Sequence, residues 1–256
     1  VIRVEEIHPS PGESQTSRRR GLYALCTGSA PQGRHFLRSP YPSGVQNDRP
    51  IQTPRTPVVL ASGSPRRRAL LASAGFSVEV EPADIDDAQV RLGGVPATDV
   101  APALAYFKAQ RVASRRAERG APPAWILAAD TVCERDGQVL GKPASAEEAR
   151  EMIASLERRG HGVVTGWCLL GPDGSRRIGR DTAWIEIGSL ERSELDRFVS
   201  EGLWQGKAGG YNLPEVVARG WPIECRGDPQ TVVGLPIERL APMLRAAIDA
   251  PPEPAR

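Results

Sequence analysis

The apolar residues of this chain recur in two rhythms, and the elements can be read where one gives way to the other. Val58-Val59-Leu60-Ala61 is a short β-branched run closed by Ser62-Gly63, which predicts a strand and a tight turn; residues 66–74 then take helical spacing up to Gly75. Residues 77–81 alternate as a strand, 82–96 read as an acidic loop, and 98–118 predict a long helix with Phe107 and Val112 on its apolar side. Trp125-Ile-Leu-Ala-Ala129 is unbroken apolar sequence closed by Asp130, as expected of a strand buried on both faces with a polar residue at its carboxyl end. Asp136-Gly137 signals a hairpin, and Ser145-Ala-Glu-Glu148 matches a capping box that opens a helix to about residue 156, before Gly160. Strands follow at 161–170 and 176–187, a helix at 191–201, a strand at 223–226 and an amphipathic helix at 235–249. Strands alternate with helices around one antiparallel stretch and no repeat appears, so the expected class is α/β, with a mixed sheet in one domain, 57–250.

The first 56 residues break this pattern. They hold no sustained apolar period, contain seven prolines and set eight arginines against four acids, so they carry +4 in a chain whose total is +2. We read residues 1–56 as a disordered basic tail. The basic balance therefore belongs to the tail, and the remainder, at −2, gives no charge-based reason for the folded part to bind nucleic acid. The chain opens on Val1, which raises the hypothesis that translation begins near residues 53–57; amino-terminal sequencing of native protein that started at residue 1 or 2 would exclude it. There is no apolar run of about 18 residues. Cys26, Cys133, Cys168 and Cys225 form no CxxC pair. The expectation is a cytoplasmic protein with reduced thiols, no membrane span, no disulfide framework and no zinc site.

Candidate chemistry begins at Ser62-Gly-Ser64-Pro65-Arg66-Arg67-Arg68, a strand-to-helix turn. Ser64 is a good N-cap, Pro65 suits the first helical position, and the free N–H groups there make an anion site. Three guanidiniums in the first turn oppose the helix dipole, and a bound anion would relieve that conflict. A solvated arginine cluster is the plainer alternative. Only three of the 33 basic residues are lysine, Lys108, Lys142 and Lys207, which points to positions that need a compact ammonium rather than a planar fork. Asp84, Asp86 and Asp87 lie in the acidic loop and Asp130 ends the most buried strand; together they could hold Mg²⁺ and orient a water, or the loop could be a solvated turn. His161 is a lone histidine at a helix-to-strand junction, more often a structural group than a catalyst. Anion sites, sparse ammonium groups and convergent acids describe a site for a polyphosphate substrate with a divalent metal.

Leu60-Ala-Ser-Gly-Ser-Pro-Arg-Arg67, Asp84-Ile-Asp-Asp87, Lys108-Ala109, Ala129-Asp-Thr131, Gly141-Lys-Pro143, His161 through Thr165-Gly166, Lys207-Ala-Gly-Gly-Tyr211 and Val233-Gly-Leu-Pro236 occur in an order that resembles the Maf family of nucleoside triphosphate pyrophosphatases, once called septum formation inhibitors. The resemblance implies an ITPase-like α/β fold, a mixed twisted sheet flanked by helices with a deep central cleft. It also implies possible homodimers, a nucleoside triphosphate substrate, a divalent metal (Mg²⁺ or Mn²⁺), and hydrolysis between the α- and β-phosphates to a monophosphate and pyrophosphate, removing non-standard or surplus nucleotides. By matching position it implies that Asp130 is the proton acceptor or metal-bound carboxylate. Ser62, Ser64, Arg66 and Arg67 are implied as phosphate contacts, with Lys108, Lys142 and Lys207 also on the substrate. Arg66, Thr131 and Pro214 stand at positions tied to base choice. Four features depart from the family pattern: Asp87 stands where Glu is usual, Gly206 replaces a common Asp, Tyr211-Asn-Leu-Pro214 replaces Tyr-Gly-Ile-Gln, and Gly227-Asp-Pro-Gln-Thr-Val-Val233 lacks the usual Tyr-Ser-Asn before Val-Val-Gly-Leu-Pro. A catalytically impaired nucleotide- or nucleic-acid-binding regulator of septum formation is the alternative that these departures leave open.

Overall fold

The β-branched and apolar runs pair as one sheet, and the amphipathic segments close over its two faces. The computed structural model describes residues 57–85 and 95–249. Along the chain its elements are Val58–Leu60 (β1), Pro65–Ser73 (α1), Val78–Val80 (β2), Ala97–Glu118 (α2), Ile126–Arg135 (β3), Gln138–Leu140 (β4), Ala146–Leu156 (α3), Gly160–Leu170 (β5), Arg176–Ile187 (β6), Arg192–Ser200 (α4), Leu213–Ala218 (α5), Ile223–Arg226 (β7), Pro229–Val233 (α6) and Ile237–Asp249 (α7). The seven strands run in the order β2-β1-β3-β5-β6-β7, with β4 also on β3. β1 is parallel to β2 and β3, and every other pairing is antiparallel, which is the mixed α/β sheet expected.

Side chains alternate across a strand, and here both faces are apolar. Val58, Leu60, Leu127, Ala129, Trp167 and Leu169 pack with the helices α1 and α7 on one face. Val59, Ala61, Ile126, Ala128, Cys168 and Leu170 pack against Ala105, Ala109 and Val112 of α2 on the other. A further core gathers Ile153, Phe198, Val216 and Trp221 of the later helices and loops around Ile185 and Ile187 of β6. Helix α2 crosses β5 closely because residue 166 is glycine; a Cβ there would come closer than 3.0 Å to the backbone of Ala101 and Pro102.

Several expectations change. Asp130 does not end its strand; β3 continues five residues past it, because β5 pairs along its length with Asp130 opposite Gly166 and Thr131 opposite Thr165. Polar residues are tolerated inside this buried ladder when their side chains find partners, and both do. Phe107 is 52% exposed rather than on the buried side of α2. The Asp136-Gly137 hairpin is present, with β3 antiparallel to β4 and Arg135 opposite Gln138; the short helices α5 and α6 have no counterpart in the sequence pattern. Asp86, Asp87 and the tail 1–56 lie outside the described residues.

Candidate active site

β3 sorts two adjacent polar side chains to opposite faces of the sheet. Asp130 follows the phase of Ala128 and meets α2, whereas Thr131 follows Ala129 and meets α1. The Lys108 ammonium donates to Asp130 Oδ1, and the two side chains are 11% and 8% exposed. Either charge alone would be costly to bury; as a pair each offsets the other's lost hydration. Asp130 Oδ2 accepts no hydrogen bond from the described residues, so one carboxylate oxygen is held while the other is available.

On the opposite face Arg67 is clamped at three points. Its Nε donates to the Gly234 carbonyl at 2.8 Å, Nη1 to Ser62 Oγ at 3.0 Å and Nη2 to Thr131 Oγ1 at 3.0 Å. Gly234 sits at φ 115°, and a Cβ there would press within 3.2 Å of Arg67 Nε, so this carbonyl is best presented by glycine. Thr165 Oγ1 donates to the Thr231 carbonyl, which obliges the Thr131 hydroxyl to donate to Thr165 at 2.8 Å. The relay from Arg67 through Thr131 and Thr165 to Thr231 therefore has a fixed direction. Ser64 caps α1 by accepting from Arg67 N at 3.5 Å, with Pro65 at the first position, so the helix start opens toward this guanidinium.

An open cleft of about 190 Å³ joins these parts. Ser64, Arg66, Arg67, Lys108, Asp130 and Lys142 supply its charged and hydroxyl lining. Cys133, Val163, Tyr211, Val232 and Val233 supply an apolar lining that holds one carboxamide, Asn212. Gly209 N donates to the Gly141 carbonyl at 3.1 Å, tying the loop of Lys142 to the loop that precedes Tyr211. His161 is fully buried, and its Nε2 lies 2.6 Å from the Tyr211 hydroxyl. Burial lowers the His161 pKa to about 4 and raises that of Tyr211 well above its ordinary value, so the pair is neutral near pH 7. Burial pushes the Cys133 thiol up to about 12, which leaves no thiolate nucleophile in the cleft.

Of the residues singled out in the sequence, Ser64, Arg66, Arg67, Lys108, Asp130, Thr131 and Lys142 converge on the cleft. Ser62 stands behind Arg67 as its hydrogen-bond acceptor. Lys207 turns to Glu215, and Pro214 lies in the first turn of α5; neither lines the cleft. Asp84 accepts from Arg115 at 2.8 Å on an exposed surface. Thr165, Tyr211 and Asn212 also help to build the site, and no local pattern marks them because their partners lie far off in the chain or depend on the folded loop. Among the described residues no three His, Cys, Asp or Glu side chains converge, so these residues alone form no metal cage. The donor set fits a hard cation held by Asp130 together with substrate phosphate oxygens, a sharing that suits Mg²⁺.

Residues 57–247 match the family described as Maf-like protein. The chain belongs to that family. Among its relatives, the dTTP/UTP pyrophosphatase of Salinibacter ruber is 37% identical over 194 residues, covering 75% of this chain and 91% of that one. The dTTP/UTP pyrophosphatase of Thermomicrobium roseum is 42% identical over 182 residues, covering 70% and 79%. A solved structure, the nucleoside-triphosphatase / dITP/XTP pyrophosphatase of Mycobacterium abscessus, aligns at 19% identity over 74% of this chain and 94% of that chain, with a TM-score of 0.36. All the cleft-lining residues of this Maf-like chain fall inside the family match. No helix among the described residues is long and apolar enough to cross a membrane.

Proposed function

We propose that this Maf-like protein hydrolyses nucleoside triphosphates between the α- and β-phosphates, releasing a monophosphate and pyrophosphate, with dTTP and UTP as its substrates. The observation that carries the reading is the buried Lys108–Asp130 pair in one cleft with Ser64, Arg66, Arg67 and Lys142. That combination supplies a proton acceptor and an anion cradle together. The base assignment follows the names of the relatives.

In the mechanism, Asp130 Oδ2 accepts a proton from the attacking water while Oδ1 stays on Lys108, which keeps the carboxylate aimed. Water oxygen bonds to the α-phosphorus as the bond to the bridging oxygen breaks and pyrophosphate departs. Little covalent chemistry falls to the protein, so neutralising phosphate charge carries most of the catalysis. Arg66 and Lys142 line the cleft and would serve that task, with Arg67 held rigid by Ser62, Thr131 and Gly234. A divalent cation, Mg²⁺ or Mn²⁺, would be held by Asp130 with the phosphates, where it supplies further neutralisation and a more acidic water.

In this reading the enzyme acts in the cytoplasm as a homodimer; the free thiols of Cys133, Cys168 and Cys225 suit a reducing compartment. The test is an assay that separates pyrophosphate from orthophosphate, with Mg²⁺ or Mn²⁺, over dTTP, UTP, CTP, the purine triphosphates and 7-methyl-GTP. Pyrophosphate from dTTP and UTP that is lost in Asp130→Asn supports the proposal. Nucleotide binding without pyrophosphate from any of them sinks it in favour of a regulator.

A further inference from the structure

Asn212 is the one carboxamide in the lining of the cleft, and it is 92% buried, at 8% relative exposure. It stands where an asparagine would ordinarily cap a helix, yet its side chain makes no capping hydrogen bond to α5. Its Nδ2 instead donates to Glu215 Oε1 at 3.1 Å, and the Lys207 ammonium donates to Glu215 Oε2. An ionised carboxylate only accepts, so the amide can lie in one orientation: nitrogen toward Glu215, Oδ1 turned away from it. Oδ1 receives no hydrogen bond from the described residues. A fixed, unused acceptor in an otherwise apolar lining calls for a flat ligand with one N–H on its edge.

We infer that Asn212 is a specificity-determining residue whose Oδ1 accepts a hydrogen bond from the ring N3–H of a uracil or thymine base, with Glu215 and Lys207 as positioning residues that prevent the amide from flipping. The inference rests on the nucleotide reading above and deepens it. Uracil and thymine carry a hydrogen on N3, whereas N3 of cytosine is a lone pair that would face Oδ1 and repel it. Tyr211, Val232 and Val233 offer apolar surface to the flat base, and the Tyr211 hydroxyl is already taken by His161. Specificity then comes from one acceptor whose orientation is set behind the wall of the cleft.

The test is kcat/KM by pyrophosphate release for UTP, N3-methyl-UTP and CTP, with the full chain as wild type, Asn212→Ala and Glu215→Gln. The wild type should prefer UTP over N3-methyl-UTP by about tenfold to a hundredfold, the reach of one buried hydrogen bond and the partner it leaves unpaired. Asn212→Ala should bring that ratio to near one by slowing UTP. Glu215→Gln, which can donate as well as accept, should lower the UTP/CTP preference by a larger factor than it lowers kcat for UTP. A wild-type ratio near one, or a ratio unmoved in Asn212→Ala, overturns the inference. So does faster N3-methyl-UTP with UTP unchanged, which would assign steric exclusion instead. The wild-type comparison of UTP with N3-methyl-UTP needs no variant to fold, and absence of pyrophosphate from every nucleotide would overturn the catalytic reading itself.

Discussion

Two lysine–carboxylate pairs serve this cleft, and the chain assembles them differently. Lys108 and Asp130 are 22 residues apart, on a helix and a strand, and both are nearly buried. Lys207 and Glu215 are eight residues apart in one loop and the helix that follows it, and Glu215 is 39% exposed. The first pair exists only once α2 has packed on the sheet; the second can form from local chain. The first faces the cleft, where water and phosphate can compete for its charges. The second stands behind Asn212 and acts by holding another group still. The same two charges therefore make a reagent in one place and a brace in the other.

The contrast breaks most visibly at Asp130. Asp130→Asn keeps the size of the side chain but removes the proton acceptor, and turnover should fall by roughly 10² to 10⁴. Steady-state pyrophosphate release checks it, and an unchanged kcat would end the assignment of Asp130 as base. Next comes the packing that creates the pair. In Gly166→Ala the new Cβ would collide with the Ala101–Pro102 backbone of α2, and no side-chain rotation can relieve it. The expected loss is about 3 kcal/mol or more, in the range of severe core overpacking. Urea unfolding measures it, and stability within about 1 kcal/mol of wild type would show that α2 can shift without penalty.

These examples also mark what the sequence could disclose. The apolar runs at 58–61 and 125–129 are strong because both faces of those strands are buried, so burial is written into consecutive residues. The Ser64-Pro65 start of α1 is legible because capping is local chemistry. The end of β3 was misplaced because Asp130 is polar for the sake of Lys108, a partner that local pattern does not disclose. α6 carries a cap at Asp228, a proline at its first position and Gly234 after its last residue, yet its five residues are too few for a period. Three lysines were visible as exceptions, but composition could not say that Lys207 would turn to Glu215, since that depends on how a glycine-rich loop folds back.

Acid sharpens the contrast between charged and neutral pairs. His161 and Tyr211 form a neutral pair, and the imidazole's pKa of about 4 lies below its unfolded value near 6.5. Above pH 6.5 neither folded nor unfolded chain protonates it. Between 6.5 and about 4 only the unfolded chain gains the proton, so stability is present above this window and is lost as pH falls through it, by about 3 kcal/mol in all. At pH 5 the wild type should have lost about 2 kcal/mol of this contribution, and His161→Gln, with no proton to take up, should lose correspondingly less between pH 7 and pH 5. Equal losses in the two proteins would assign acid sensitivity to other groups.

The smallest effect belongs to Lys207→Met. Met keeps much of the apolar stem and removes the ammonium, so Glu215 retains its bond to Asn212 but loses the charge that steadies it. Glu215 is partly exposed, and pairs of that kind are weak, typically about 0.2–1 kcal/mol. Turnover of UTP should therefore change by less than about threefold, and the UTP/CTP preference should fall by a similar small factor. Lys108→Met, with the same substitution at the other pair, should instead lower kcat by roughly tenfold or more, since it frees the carboxylate that the reaction aims. The two variants are chemically identical, so a matching loss of kcat in both would mean that Lys207 reaches the phosphates when substrate is bound. Separate effects, one on rate and one on base preference, would fix the division between reagent and brace on a single type of side chain.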